Sequence, residues 1–254
     1  MERYEYTKQA LANGVSIRQI GKDLGVDYST VTYWIKKNFS SGLRTKFVSQ
    51  SDVLDICQTY PAHYAYMLGC YLGDGHIIKS PRTYKLTIYN SEIHPEIISD
   101  QILSLKKLFP TNKINNYKQL HNKCVEVRVH NLSLPYYFPQ HGPGKKHNRP
   151  IIFEDWQQEI VTNEPECFLK GLIDTDGTEY LTSGKYRRYS FCNVSQNIIE
   201  LYKTTMKQLN IHYTIVNRKA NKSRNIITRI TTSPLKDVQA IDKAYEIAES
   251  KLHT

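Results

Sequence analysis

Apolar positions along this chain follow two rhythms. Some runs place them three or four residues apart, as an amphipathic helix does, and shorter runs alternate every second residue, as a half-buried strand does. Between residues 55 and 250 the two rhythms succeed one another twice in the same order. A helical run, YMLGCYLGDGHI from Tyr66 to Ile77, stops on Asp-Gly, and so does FLKGLIDTDGTEY from Phe168 to Tyr180. Pro61 and Pro165 lie upstream, where proline suits the first turn of a helix. Strand-like LTIYNSEI and YSFCNVSQ follow, then helical PEIISDQILSLKKLF and QNIIELYKTTMKQLN. The copies close on CVEVRVH in the first and on YTIVNR and NIITRITT in the second. Each copy therefore reads helix, strand, strand, helix, strand, strand. Gly69 aligns with Gly171, Asp74 with Asp176 and Gly75 with Gly177, an offset of 102 residues. A repeat of that length is a duplicated domain and not a solenoid.

The first 39 residues have a different pattern. YTKQALANG predicts a helix ending at Gly14. Ser16 is placed to cap a second helix, SIRQIGKDLG, with Ile17, Ile20 and Leu24 on one face. Gly25 supplies the turn into a third, DYSTVTYWIKKNF, with Val31, Trp34 and Ile35 at core spacing. Gly21 falls where the two helices must approach closely. This arrangement is similar to a helix-turn-helix DNA-binding module. Its third helix offers Tyr28, Ser29, Thr30, Thr32 and Tyr33 to base edges, and Lys36 and Lys37 to phosphates. Residues 40–52 are polar, contain Gly42 and read as a linker.

Charge sharpens the picture. The 254 residues carry a net +10, unevenly spread. Residues 185–229 hold ten Lys or Arg against one acid, Glu200. A two-stranded ribbon fits the DNA major groove, so Arg187, Arg188, Arg218, Lys219, Lys222, Arg224 and Arg229 are candidate DNA contacts. The 19 tyrosines fit packing on sheets better than base stacking. Five scattered cysteines form no zinc-ligand spacing and suit a reducing, intracellular setting. No apolar run is long enough for a membrane span, the start is not a signal peptide, and no phosphate-binding GxxxxGK loop occurs.

The two Asp-Gly stops carry the candidate chemistry. Acids in the last turn of a helix meet the negative end of its dipole. Gly69 and Gly73 lie on one helix face and admit another backbone. Gly171 does the same in the second copy, while Thr175 is bulkier and predicts looser packing there. Parallel helices would bring Asp74 and Asp176 together, where a divalent cation would relieve their repulsion. Hard oxygen donors suit magnesium. Asp174 faces Leu72 in the other copy and so reads as structural, hydrogen-bonding the turn, with Gly177 as the helix C-cap.

LKGLIDTDG closely resembles the signature of the LAGLIDADG homing endonucleases, departing at Lys170 and Thr175, and MLGCYLGDG resembles it more loosely. The resemblance covers roughly residues 55–250 and implies the single-chain, pseudo-symmetric branch of that family. The fold it implies is α+β. Two αββαββα domains, 53–150 and 151–254, would place saddle-shaped antiparallel sheets across double-stranded DNA, the monomer acting as a pseudo-dimer. It implies a site-specific endonuclease that hydrolyses both strands with Mg2+ or another divalent cation. Asp74 and Asp176 would be catalytic and metal-binding, with Gly73 and Thr175 beside the metal. Asn90 and Asn193 fall near the place of a polar residue that orients water in relatives. Lys145 and Lys146, in the connecting stretch FPQHGPGKKHNRPI, would neutralise charge at the scissile phosphates, with Arg149 and His147 behind them. Relatives with a helix-turn-helix also include non-cleaving transcription regulators, and an intron maturase is a third function the resemblance allows.

Overall fold

A computed structural model describes residues 6–7, 9–10, 15–34, 50–119, 123–219 and 226–254. The chain divides into two compact units, Met1–Phe47 and Val48–Thr254. In the first, α1 (Ile17–Leu24) begins at Ser16, whose hydroxyl accepts the Gln19 N–H at 3.3 Å. It ends at Gly25, held at φ +61°. After the turn comes α2 (Tyr28–Trp34). Ile20 and Val31 are fully buried, with Ile17, Leu24 and Val26 packed around them. A Cβ on Gly21 would lie 2.8 Å from the Val26 carbonyl oxygen, the close approach the sequence called for. The expected helix end at Gly14, and Ile35, lie outside the described residues.

The second unit starts with α3 (Gln50–Thr59), which begins inside the stretch read as linker. Next is α4 (Pro61–Gly73), with Pro61 in its first turn, then β1 (Gly75–Ser80) and β2 (Thr83–Ser91). The first half continues through α5 (Pro95–Leu108), β3 (Asn115–Lys118), β4 (Cys124–Asn131) and a single-turn α6 (Leu134–Tyr137). A connection containing one 3-10 turn, Lys146–Asn148, leads to α7 (Asp155–Asn163). The second half repeats the plan in α8 (Pro165–Asp176), β5 (Gly177–Thr182), β6 (Tyr186–Asn193), α9 (Gln196–Gln208), β7 (Thr214–Lys219) and β8 (Ile226–Thr232). It closes on a long α10 (Leu235–Leu252) where the first half has the short α6.

Each half forms a four-stranded antiparallel sheet with the same order, β1-β2-β4-β3 and β5-β6-β8-β7. One core runs through both halves, and α4 lies at its centre, with every residue from Ala62 to Leu72 buried. A helix apolar all round must be enclosed, which fits that position. Among the described residues the fully buried tyrosines, Tyr64, Tyr66, Tyr71, Tyr137 and Tyr202, all sit on helices and not on sheets. Cys70 and Cys167 are buried small residues, and all five cysteines are free thiols.

The seam between the halves is α4 against α8. A Cβ on Gly69 would lie 2.7 Å from the Phe168 carbonyl oxygen and 2.9 Å from the Leu172 nitrogen. Gly171 is pressed in the same way against Tyr66 and Cys70. Contacts advance in the same direction along both helices, so they run parallel and their C-terminal ends meet. The looser packing expected at Thr175 is corrected: its side chain fills the space that Gly73 leaves, and its hydroxyl donates to the Gly171 and Leu172 carbonyls at 2.9 and 3.1 Å.

Candidate active site at the paired helix ends

α4 ends at Gly73 with Asp74 as its cap, and the last residue of α8 is Asp176. The Asp176 carboxylate reaches the end of α4, since a methyl group on Gly73 would stand 3.3 Å from its Oδ2. Asn193 donates its side-chain amide to the same oxygen at 2.6 Å. Gly177 follows as the cap residue, but at φ −92°. It is glycine because the chain turns straight from helix to strand, and a Cβ would strike Ile173.

Lys146 completes the cluster. Its ammonium donates to the carbonyls of Tyr71 at 2.7 Å, Leu72 at 2.8 Å and Gly73. These are carbonyls of the last turn of α4, of which that of Tyr71 also accepts the Asp74 N–H, and the cation answers the negative end of the dipole. Burial pulls the Lys146 pKa down to about 8, with Asp176 and Asp74 pulling it back up. Burial raises Asp74 to about 6, the neighbouring charge of Asp176 adds to this, and Lys146 opposes it. Asp176 is raised as well, first by burial, against the Asn193 hydrogen bond and Lys146.

Other connecting residues do different work. Arg149 braces its own loop, donating to the carbonyls of Gln140 at 3.0 Å, Gly142 at 2.8 Å and Gly144 at 3.1 Å. Lys145 is exposed, and with His147 it lines a cavity of about 420 Å³ beside Lys146 and Asp176. Asn90 does not mirror Asn193. It exchanges a pair of hydrogen bonds with Gln101, at 2.8 and 2.9 Å, and is buried.

The residues fit a hard divalent cation. Among the described residues no group of three or more His, Cys, Asp or Glu could hold a metal ion. The donors here are the carboxylates of Asp74 and Asp176, while the Gly73 main-chain oxygen accepts from Lys146 and the Thr175 hydroxyl donates to the Gly171 and Leu172 carbonyls. Magnesium is usually held by one or two carboxylates, with waters and substrate phosphates completing its shell.

Asp174 corrects the reading that it bonds the turn. It is buried and accepts from Lys170 at 2.8 Å, Tyr66 at 3.0 Å and Tyr245 at 2.9 Å. Lys170, only 2% exposed, also meets Asp100 at 3.1 Å, and His253 reaches Asp100 at 3.0 Å. Burial acts to lower the Lys170 pKa, but Asp174 and Asp100 outweigh it and hold the ammonium charged. The signature's other departure, lysine at 170, is thus explained: it neutralises the acid one turn later and ties both halves together.

Strand register sorts the candidate DNA contacts. Tyr180 pairs with Arg188, and Cys192 with Arg229, which share one face of the second sheet. Arg187 points the other way, bonding Glu179 at 2.7 Å and Asp242 of α10 at 2.9 Å, which commits its charge on the opposite face from Arg188 and Arg229. Arg218 and Lys219 end β7. Lys222, Arg224, Lys36 and Lys37 lie outside the described residues. Tyr28 and Ser29 are exposed on α2, and Thr32 bonds back to the Tyr28 carbonyl at 2.8 Å. The first sheet adds cations that sequence reasoning passed over. Ile78 pairs with Lys85, Lys85 with His130, and Thr87 with Arg128 on one face. Alternation in CVEVRVH held that signal. Glu126 offsets Arg128, with Nε–Oε2 at 2.6 Å.

The raised aspartate pKa sets a stability–pH dependence. A carboxyl whose folded pKa exceeds its unfolded value costs nothing below about pH 4, where both states are protonated, and destabilises increasingly as pH rises through 6. Metal-free Asp74→Asn should therefore melt higher than the parent at pH 8 and equal to it at pH 4. Asp74 retains solvent access, so with screening the gain is about 1 kcal/mol or less. Thermal melts across pH check it.

Residues 164–242 match the LAGLIDADG-like domain family. Among solved structures the chain is similar to the homing endonuclease I-DmoI in a study of mesophilic variants, with 18% identity and TM-score 0.51. That match covers 74% of this chain and 97% of that one. It is similar to I-DmoI in complex with DNA and Mn, at 18% identity and TM-score 0.51, covering 73% and 97%. Full-length DUF199/WhiA from Thermatoga maritima matches at 12% identity and TM-score 0.50, covering 82% and 66%. These likenesses establish a double-domain LAGLIDADG fold. No curated protein matches the sequence.

Proposed function

We propose that this chain is a site-specific DNA endonuclease that hydrolyses phosphodiester bonds at the paired ends of α4 and α8. The observation that carries the reading is the meeting of Asp74 and Asp176, both raised toward neutrality, with Lys146 and Asn193 against them. Asp74 and Asp176 would hold a divalent cation, which when bound activates water and stabilises the leaving oxygen. Asn193 fixes the orientation of the Asp176 carboxylate. Lys146 holds positive charge beside both acids, where a phosphate brings negative charge. The exposed sheet faces, with Arg188 and Arg229 on one and Lys85 on the other, would grip the duplex. The module at the N-terminus would extend the recognised site through Tyr28, Ser29 and Thr30.

I-DmoI has been crystallised in complex with DNA and Mn, which agrees with a divalent cation at this site. One observation favours a second reading, a non-cleaving DNA-binding regulator: Lys146 already supplies a resident cation at the helix end.

A binding test separates the two without turnover. Magnesium present in large excess over its Kd should raise the melting temperature of the parent at pH 8. It should leave an Asp74→Asn/Asp176→Asn double variant unmoved, and a parent that ignores magnesium favours the regulator. The DNA grip has its own check. Arg229→Ala should lower the slope of log affinity against log salt by about one. Arg187→Ala should leave that slope unchanged, because its charge is committed to Glu179 and Asp242.

A further inference from the structure

The first sheet carries one arginine whose guanidinium is fixed in direction by its neighbours. Glu126 and Arg128 lie two apart on β4 and so share a face. The Arg128 Nε donates to Glu126 Oε2 at 2.6 Å, and a terminal nitrogen of the same guanidinium meets that oxygen as well. Gln119 donates to the other carboxylate oxygen. Glu126 is 6% exposed and makes a rigid anchor. Tyr117 pairs with Glu126 from β3, and its ring centre stands 5.1 Å from the Arg128 guanidinium. Arg128 itself forms one rung with His76, Thr87 and Asn115, and His76 is two residues past Asp74. The arginines of the second sheet are placed differently. Arg229 meets only a weak acceptor, Cys192 Sγ, at 3.3 Å. Arg187 is held by two acids but on the opposite face.

Two physical facts decide what such an arginine is for. A phosphate contact works through charge and needs no fixed orientation. Glu126 cancels the charge of Arg128 and fixes its orientation, the reverse of what a phosphate contact calls for. A guanine contact works through geometry: two parallel N–H groups meet O6 and N7 in the major groove. With Nε turned to Glu126 and the ring of Tyr117 against one side, the edge that carries both terminal nitrogens is the one that can present that fork. Holding it in place beforehand removes ordering entropy that binding would otherwise cost. We propose that Arg128 reads a guanine in the half of the target covered by the first sheet, with Glu126 and Tyr117 as positioning residues. This rests on the reading of the exposed sheet faces as the grip on the duplex. It makes Arg128 a determinant of sequence, while Arg229 contributes affinity.

The test is a binding selection with the full chain on a large randomised duplex library in calcium, so that it does not depend on cleavage. The parent should enrich one family of sequences. An Arg128→Ala/Glu126→Gln double variant removes the pair together and leaves no carboxylate in the sheet without its cation. It should lose a guanine preference at one position, by about tenfold or more, and keep the preferences elsewhere. Because the pair is neutral, the slope of log affinity against log salt should stay as in the parent. Tyr117 is exposed, so Tyr117→Ala probes the positioning without opening the core, and it should relax the same position by about threefold. Unchanged preferences in the double variant overturn the assignment. A slope that falls by about one overturns it too, because Arg128 is then a phosphate contact. Should the double variant fold poorly, Tyr117→Ala decides alone, and no relaxation at any guanine overturns the assignment. A parent that enriches no sequence overturns the reading of the sheets as a DNA grip, and the role of Arg128 falls with it.

Discussion

Asp176→Asn should abolish cleavage, by about a thousandfold or more, and leave DNA binding in place. The size follows from what the substitution removes. Asparagine keeps the volume and can still face Asn193, so the seam between α4 and α8 survives. What it lacks is the charge. With Asp74 alone, the helix ends offer one carboxylate to a divalent cation, and water activation at neutral pH depends on that cation. Losing ~4 kcal/mol of transition-state stabilisation corresponds to about a thousandfold in rate. Affinity should not suffer, because removing an anion from a DNA-facing site relieves repulsion. Single-turnover cleavage and a binding titration in calcium check the two halves. Cleavage within tenfold of the parent would remove Asp176 from the chemistry.

Lys170→Met should destabilise the fold by about 3–5 kcal/mol. The ammonium is 2% exposed and bridges Asp174 and Asp100, so its loss leaves two carboxylates in the core without their cation. Tyr66 and Tyr245 still donate to Asp174, and His253 still reaches Asp100, but hydroxyls do not cancel a charge. For a unit of this size the loss corresponds to about 10 °C in melting temperature. Asp174→Asn, in the parent background, should cost less, since the amide oxygen still accepts from Tyr66 and Lys170 keeps Asp100 as its partner. Urea unfolding at pH 7 reads both. A Lys170→Met midpoint within error of the parent would mean the network carries no net stability.

The repeat was legible because both copies obey the same periodicities and stop on the same Asp-Gly. That fixed the order of elements and paired Asp74 with Asp176, and the register of the helix seam followed from Gly69 and Gly171. Less was legible where a contact depends on a distant segment. Asp174 reads from the sequence as bonding its own turn and Lys170 only as a departure from the signature, because their partners Asp100, Tyr66 and Tyr245 come from three other helices. Strand β3, NNYK, has no apolar alternation and left no pattern to read. Arg187 and Arg188 are neighbours, and only the pairing of Tyr180 with Arg188 decides which of them lies on the sheet face with Arg229 and which turns to Asp242. Thr175 was read by size alone, without the space Gly73 leaves for it. Lys145 and Lys146 are equivalent neighbours in a basic connecting stretch, and only the folded loop distinguishes the half-buried Lys146 from the exposed Lys145.

The most direct test of the account is a cleavage selection from a large randomised DNA library, run in magnesium and in calcium with parent and Asp176→Asn side by side. The account predicts one family of cut sequences, recovered from the parent in magnesium alone, while calcium yields the same sequences bound and intact. Sequences that are bound but uncut by the parent in both ions would contradict it and make the chain a DNA-binding protein that does not cleave.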